Sequence, residues 1–178
     1  MKKQNQLKAM AFAAILAAVS VALGFFSIRV GDVYKFGFSK LPVVLAGMVL
    51  GPLWGALVGA VGDIIAAIPL GWNPLFTLPA LFVGSLPWCF TKLLGGKNKF
   101  FSVVVSTVIS RVLMSGFLLT VLLGYVYGWF EPITKFNTML SIRLVTAFVE
   151  SIIEGVAIYF IINAKGIDRI IKKNHIEL

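Results

Sequence analysis

Long apolar stretches alternate with short polar ones along the chain, and this alternation predicts six helices. The predicted helices cover residues 7–28, 41–50, 53–70, 75–94, 100–127 and 138–163. Most of them approach the length of about 20 apolar residues that a helix needs to cross a bilayer, although the second is shorter. Polar loops and turns, such as residues 29–40 and the Gly51-Pro52 pair, separate them. The pattern predicts an all-α membrane protein in which residues 1–178 form a single integral membrane domain, a six-transmembrane-helix bundle.

The composition supports a membrane protein and excludes several other classes. Hydrophobic residues make up 59% of the 178 positions, and the mean hydropathy is +0.96. Soluble domains are only about 45–50% apolar. The single cysteine, Cys89, lies in an apolar run and is expected to be a small core residue. With one cysteine and one histidine, the chain offers neither a disulfide framework nor a typical metal-ligand set, so we expect no metal and no cofactor.

The positions of the basic residues predict the topology. Six helices place both termini on one side of the membrane. Ten lysines and arginines fall on that side, in the N-terminus, the loop between the fourth and fifth helices and the tail, and four fall in the opposite loops. Cytoplasmic loops carry an excess of lysine and arginine. We therefore expect both termini to be cytoplasmic in a bacterial plasma membrane, and we ascribe the net charge of +9 to topology and not to nucleic-acid binding.

Small residues recur at helical spacing in two places. Glycines stand at 47, 51, 55 and 59, on either side of Pro52, which predicts two facing helices with glycine seams. In the first helix, alanines follow two four-residue registers, one at 9, 13 and 17 and the other at 14, 18 and 22. Such registers indicate close helix–helix contact, either inside the protein or with another chain.

Five charged residues lie inside predicted spans and away from their ends, where charges are costly and usually pair or line a cavity. They are Asp63, Arg111, Arg143, Glu150 and Glu154. Glu150 and Glu154 are one helical turn apart, and Arg143 is on roughly the same face. These groups form either structural salt bridges, for instance between Arg111 and Glu150, or contacts with a substrate or ion.

Aromatic and amide side chains cluster at the predicted outer ends of the third to sixth helices. An aromatic belt at the membrane interface explains the tryptophans. Aromatic walls with a few polar groups also describe a small-molecule pocket. The chain has no phosphate-binding loop, nucleophile elbow or metal-ligand spacing, so it is expected neither to hydrolyse ATP nor to be an enzyme.

The stretch KFGFSKLPVVLAGMVLGPLWGALVGAVGDII, which begins at Lys35, resembles the substrate-binding S components of energy-coupling factor (ECF) vitamin transporters, most closely the folate-type branch. The resemblance implies a six-helix bundle that binds a vitamin from outside the cell. It also implies partners: one transmembrane T component and two ATPase subunits. The register Ala9, Ala13 and Ala17 looks like the A-x-x-x-A signature with which the first helix of this family docks on the T component.

Two segments depart from the folate-type pattern. The end of the first helix reads GFFSIR, with Arg29 later than the usual Ser-Arg pair, and WNPLFT stands where the family has an F-P-G-F loop. Folate is the leading ligand, while pantothenate, pyridoxine and a pyrimidine precursor remain alternatives. A self-sufficient secondary transporter is the rival class, although the two halves of the chain show no convincing duplication.

The expected substrate-binding residues divide by chemistry. Flat rings would stack on aromatic side chains, amides and a hydroxyl would contact ring edges, and cations would bind a carboxylate. The set comprises Phe38, Trp72, Phe76 and Phe136; Asn73, Thr77 and Asn137; and Arg29, Lys35, Lys40 and Arg143.

Overall fold

Six helices and one short hairpin make up the described part of the protein. The structure, a computed structural model, describes the backbone of residues 2–30, 34–68, 73–95, 98–128 and 133–164, and the side chains of the same ranges except 2–5 and 28–36. In chain order the elements are α1 (Lys2–Phe25), β1 (Ile28–Val30), β2 (Tyr34–Phe36), α2 (Lys40–Leu50), α3 (Pro52–Ala67), α4 (Pro74–Leu94), α5 (Lys99–Tyr127) and α6 (Ile133–Asn163).

The helices confirm an all-α, multi-pass membrane protein. Within the described ranges, α1, α4, α5 and α6 are each long and apolar enough to cross a membrane. The helices α2 and α3 have 11 and 16 residues, about 16 and 24 Å at 1.5 Å per residue, which is less than the bilayer core of about 30 Å. The two short helices follow each other through Gly51, whose φ of 102° suits glycine.

The element boundaries differ from the sequence prediction at α1, which spans Lys2–Phe25 instead of residues 7–28, and in two further places. The segment predicted to be a loop contains β1 and β2, which pair antiparallel with Ile28 opposite Phe36. In β1 the β-branched residues flank Arg29, and in β2 the aromatic residues flank Lys35. β-branched and aromatic residues favour strands. The last helix begins at Ile133, five residues earlier than predicted, because no glycine or proline interrupts residues 133–138.

The glycine seams hold α2, α3 and α4 together. A Cβ atom on Gly47 of α2, or on Gly55 of α3, would collide with the backbone carbonyl of Gly84 in α4. A Cβ atom on Gly59 would likewise collide with the carbonyl of Ala80. The predicted glycine seams of α2 and α3 are therefore confirmed, and both also pack against α4.

One face of α1 is buried inside the protein, and it includes the register that was predicted to dock on the T component. Ala13 and Ala17 lie in the main hydrophobic core and Ala9 packs against it, so this register belongs to the protein's own interior. The other register, formed by Ala14, Ala18 and Ala22, is exposed. The expectation that Cys89 is a core residue is wrong, because its side chain is exposed on α4.

Candidate functional site

One end of the bundle gathers most of the described side chains of the expected binding set. At this end, here called the mouth, α1, α3 and α5 finish and α2, α4 and α6 begin. The helix order alone thus brings the start of α2, the start of α4 and the first turns of α6 to one surface. The side chains of Arg29, Lys35 and Trp72 lie outside the described residues.

A polar cluster ties α2, α3 and α4 together at the mouth. The ammonium group of Lys40, the first residue of α2, lies 3.6 Å from the carboxylate of Asp63 in α3. The hydroxyl of Thr77 in α4 donates a hydrogen bond of 3.2 Å to the same carboxylate. Lys40 and Asp63 are each about one quarter exposed, whereas Thr77 is buried. Sequence reasoning noted the charge of Asp63 but did not place it in the site.

Residues at the start of α4 supply an amide and an aromatic surface. The side-chain carbonyl of Asn73 accepts the backbone N–H of Leu75 at 3.0 Å and so caps the helix. The NH₂ group of the Asn73 side chain takes no part in this bond. The ring of Phe76 stacks against Tyr127 of α5, with centroids 6.3 Å apart and planes 12° apart. Tyr127 was not among the expected residues.

The remaining expected residues occupy the connector to α2 and the first half of α6. Phe38 is 38% exposed, just before α2. In the first turns of α6, Phe136 is half-buried and Asn137 is exposed. Arg143 is half-buried further along α6, on the face that continues through Ala147 to Glu150. The mouth therefore combines aromatic rings with partly accessible cations.

An ion triad of Arg111, Glu150 and Glu154 lies deeper in the bundle. The Nη2 atom of Arg111 is 2.8 Å from Oε2 of Glu150, and its Nε atom is 2.9 Å from Oε2 of Glu154. All three side chains are at least nine-tenths buried. The predicted salt bridge between Arg111 and Glu150 is thus confirmed, and it joins α5 to α6. Lys40 adds a further positive charge in electrostatic range of Glu154.

Local irregularities of α5 position the triad. Arg111 ends a regular α-helical segment, and residues Val112–Leu118 form a π-helical turn before α-helix resumes. Arg111 also donates from Nη1 to the hydroxyl of Ser115 at 3.1 Å. Gly116, within the π turn, allows Leu144 and Ala147 of α6 to approach closely. Such π turns occur often at functional sites.

A stripe of buried hydroxyls on α5 continues from Arg111 towards the other end of the bundle. Ser106 bonds to the hydroxyl of Thr91 in α4 at 2.7 Å. The hydroxyls of Thr107 and Ser110 donate to carbonyls of their own helix, which satisfies them without water. Sequence reasoning missed this stripe, although its spacing is visible in the sequence; its members are Ser102, Ser106, Thr107 and Ser110.

Comparison with known proteins gives a family match. The family described as "ECF transporter, substrate-specific component" matches residues 8–163. "Folate transporter FolT" of Clostridium novyi is 34% identical over 130 residues, 70% of this chain and 73% of that protein. "Riboflavin transporter FmnP" of Bacillus subtilis is 29% identical over 136 residues, 72% and 71% of the two chains. An uncharacterized Mycoplasma pneumoniae protein, the MG313 homolog, is 35% identical over 80 residues, and the match spans 44% of this chain and 28% of that protein.

Solved structures show the same fold. A crystal structure of FolT bound with folic acid superposes with a TM-score of 0.58 at 25% identity, over 81% of this chain and 92% of that chain. The S component for biotin from an ECF-type ABC transporter gives a TM-score of 0.68 at 19% identity, over 96% and 99% of the two chains.

Proposed function

Because the chain belongs to the family of ECF transporter substrate-specific components, we propose that it binds a vitamin at the mouth, with folate as the leading ligand. The choice of folate rests on the 34% identity to a folate transporter over 70% of this chain. The relative named as a riboflavin transporter is less similar, at 29%. The biotin S component has the higher TM-score, but its 19% identity bears on the fold alone.

The chemistry of the mouth suits a flat, anionic ligand. The stacked pair of Phe76 and Tyr127 offers an apolar surface for a ring. Lys40 is partly exposed, and its 3.6 Å pairing with Asp63 is long enough for a ligand carboxylate to compete for the ammonium. We propose the same role for Arg143, and for Arg29 and Lys35 by sequence position. Phe38, Trp72 and Phe136 would add aromatic area, and Asn73 and Asn137 would contact ring edges.

Thr77 has a different proposed role from the one its sequence position suggested. Its hydroxyl donates to Asp63 and its side chain is buried. We therefore propose that Thr77 orients Asp63, and through it Lys40, while the direct contact with ligand falls to Lys40. A pantothenate, pyridoxine or pyrimidine ligand would use the same cation with less of the aromatic surface.

The proposed partners are a T component and two ATPase subunits, as expected of an ECF assembly, because the chain has no phosphate-binding loop of its own. The exposed register Ala14, Ala18 and Ala22 suits close approach by a T-component helix. The buried register around Ala13 does not. We propose that the T component docks on the exposed register.

Identification of the small molecule that co-purifies with the protein tests the ligand. The protein would be purified from its own host in mild detergent, and the denatured sample analysed by mass spectrometry. Folate or a reduced folate at near-equimolar amount is the expected result, and a different vitamin would replace folate in the proposal. Uptake by this chain alone in proteoliposomes, driven by an ion gradient, would favour a secondary transporter and contradict the proposed class.

A further inference from the structure

The connector between α1 and α2 comprises residues 26–39, and its described residues, 26–30 and 34–39, include one that is bonded to the centre of the bundle. The backbone N–H of Gly37 donates a hydrogen bond of 3.1 Å to Oε1 of Glu150, 113 positions later in the chain. The other oxygen of the same carboxylate, Oε2, receives Nη2 of Arg111 at 2.8 Å. Glu150 thus uses one oxygen for the connector and one for the ion triad.

The surroundings of Gly37 restrict its movement. A Cβ atom at this position would stand 2.7 Å from Cβ of Ser27, so the two ends of the connector are in close contact. Two residues further on, the carbonyl of Ser39 accepts the hydroxyl of Ser20 in α1 at 2.8 Å. The connector is therefore held to α1 by Ser20 and to α6 by Glu150.

We propose that Glu150 is a positioning residue, which holds the connector against the mouth through its hydrogen bond to Gly37. Phe38 follows Gly37 directly and Lys40 begins α2, so the position of Gly37 determines where both side chains stand. The same carboxylate is held by Arg111, so the connector is fixed to α5 and α6 as well as to α1.

Two substitutions separate this role from the general stability of the triad. In Glu150→Gln, the side chain has one acceptor oxygen and one donor NH₂, while Gly37 and Arg111 both donate. The charged guanidinium competes better for the oxygen, so the bond to Gly37 is lost. Glu154→Gln is the matched control, because it also replaces one carboxylate of the triad by an amide but leaves Oε1 of Glu150 unchanged. Glu154 contacts Arg111 and is fully buried.

The test is hydrogen–deuterium exchange of the ligand-free, full-length protein in nanodiscs, followed on peptides that cover residues 26–40. Thermal unfolding of both variants is measured alongside. The expected result is exchange at least tenfold faster than wild type in this segment for Glu150→Gln, with Glu154→Gln within about twofold. Equal exchange in the two variants, or no change in either, would overturn the proposal. If Glu150→Gln does not fold, Glu150→Asp serves instead, because the shorter side chain cannot reach both donors, and the same two outcomes apply.

A consequence for the ligand rests on the proposed function. Radiolabelled folate should dissociate at least tenfold faster from Glu150→Gln than from Glu154→Gln. Equal dissociation rates would show that the connector does not retain the ligand and would contradict this consequence. Failure of folate to bind the wild-type protein would instead count against folate as the ligand, and the exchange measurement, which needs no ligand, would still decide the role of Glu150.

Discussion

Gly55 of α3 and Gly84 of α4 face each other so closely that a Cβ atom on either would collide with the backbone carbonyl of the other. Gly47 of α2 joins the same contact, so three helices meet where no side chain fits. Glycine inside a helix is otherwise less favourable than alanine by about 0.5–1 kcal/mol. At these positions close backbone approach outweighs that preference.

Gly55→Ala is therefore expected to destabilise the protein, although alanine is the better helix former. Overpacking typically costs about 1–3 kcal/mol, and the carbonyl of Gly84 belongs to rigid backbone. Gly62→Ala is the matched control in the same helix, because the added methyl would meet the hydroxyl oxygen of Ser20 at 3.0 Å, and this side chain can shift at the cost of its hydrogen bond to Ser39, whereas backbone cannot. Thermal unfolding in detergent should show a clear loss for Gly55→Ala and a smaller one for Gly62→Ala. Equal stability of the two variants would contradict the packing account.

Removal of Arg111 should be among the most damaging single changes. Arg111→Met would leave Glu150 and Glu154 buried without their shared cation, and breaking a buried pair in this way costs about 3–5 kcal/mol. The triple variant Arg111→Met, Glu150→Gln and Glu154→Gln removes the uncompensated charges and should recover part of the lost stability. Comparison of the unfolding temperatures of the two variants gives the measurement. A triple variant no more stable than Arg111→Met would contradict the charge explanation.

The two alanine registers of α1 should respond differently to tryptophan. Ala14→Trp is expected to fold and bind ligand but to lose co-purification with the T component, since Ala14 is exposed. Ala13→Trp should lower stability and ligand binding together, since Ala13 is 5% exposed and lies in the core. Co-purification and unfolding temperature are measured for both variants. Retention of the T component by Ala14→Trp would place the docking surface elsewhere.

The sequence predicts the helices and the Arg111–Glu150 pair well, because long apolar runs and buried charges each have few structural solutions. It could not decide between the alanine registers, since both have the same period and only the position of α2 and α3 determines which is buried. The sequence could not predict the role of Thr77 either, because its hydroxyl bonds to Asp63 only where α3 and α4 lie side by side. The short hairpin was missed because three-residue strands carry little periodic signal.

Cysteine labelling tests the predicted orientation in the membrane. Lys99 begins α5 and Lys135 lies in the first turn of α6, so the two positions are at opposite ends of the bundle. Single cysteines would be placed at each position with Cys89, itself exposed, replaced by alanine. The excess of basic residues on the side of Lys99 predicts that a membrane-impermeant reagent added to intact cells labels position 135 and not position 99. The reverse pattern would place both termini outside.

The central claim, that this chain binds a vitamin at the mouth, is tested most directly by isothermal titration calorimetry. The purified wild-type protein, freed of endogenous ligand, would be titrated with folate and in parallel with pantothenate, pyridoxine and riboflavin. The account predicts one-to-one binding of folate with micromolar affinity or better, weakened by Lys40→Ala. Absence of micromolar binding for all four compounds would contradict it.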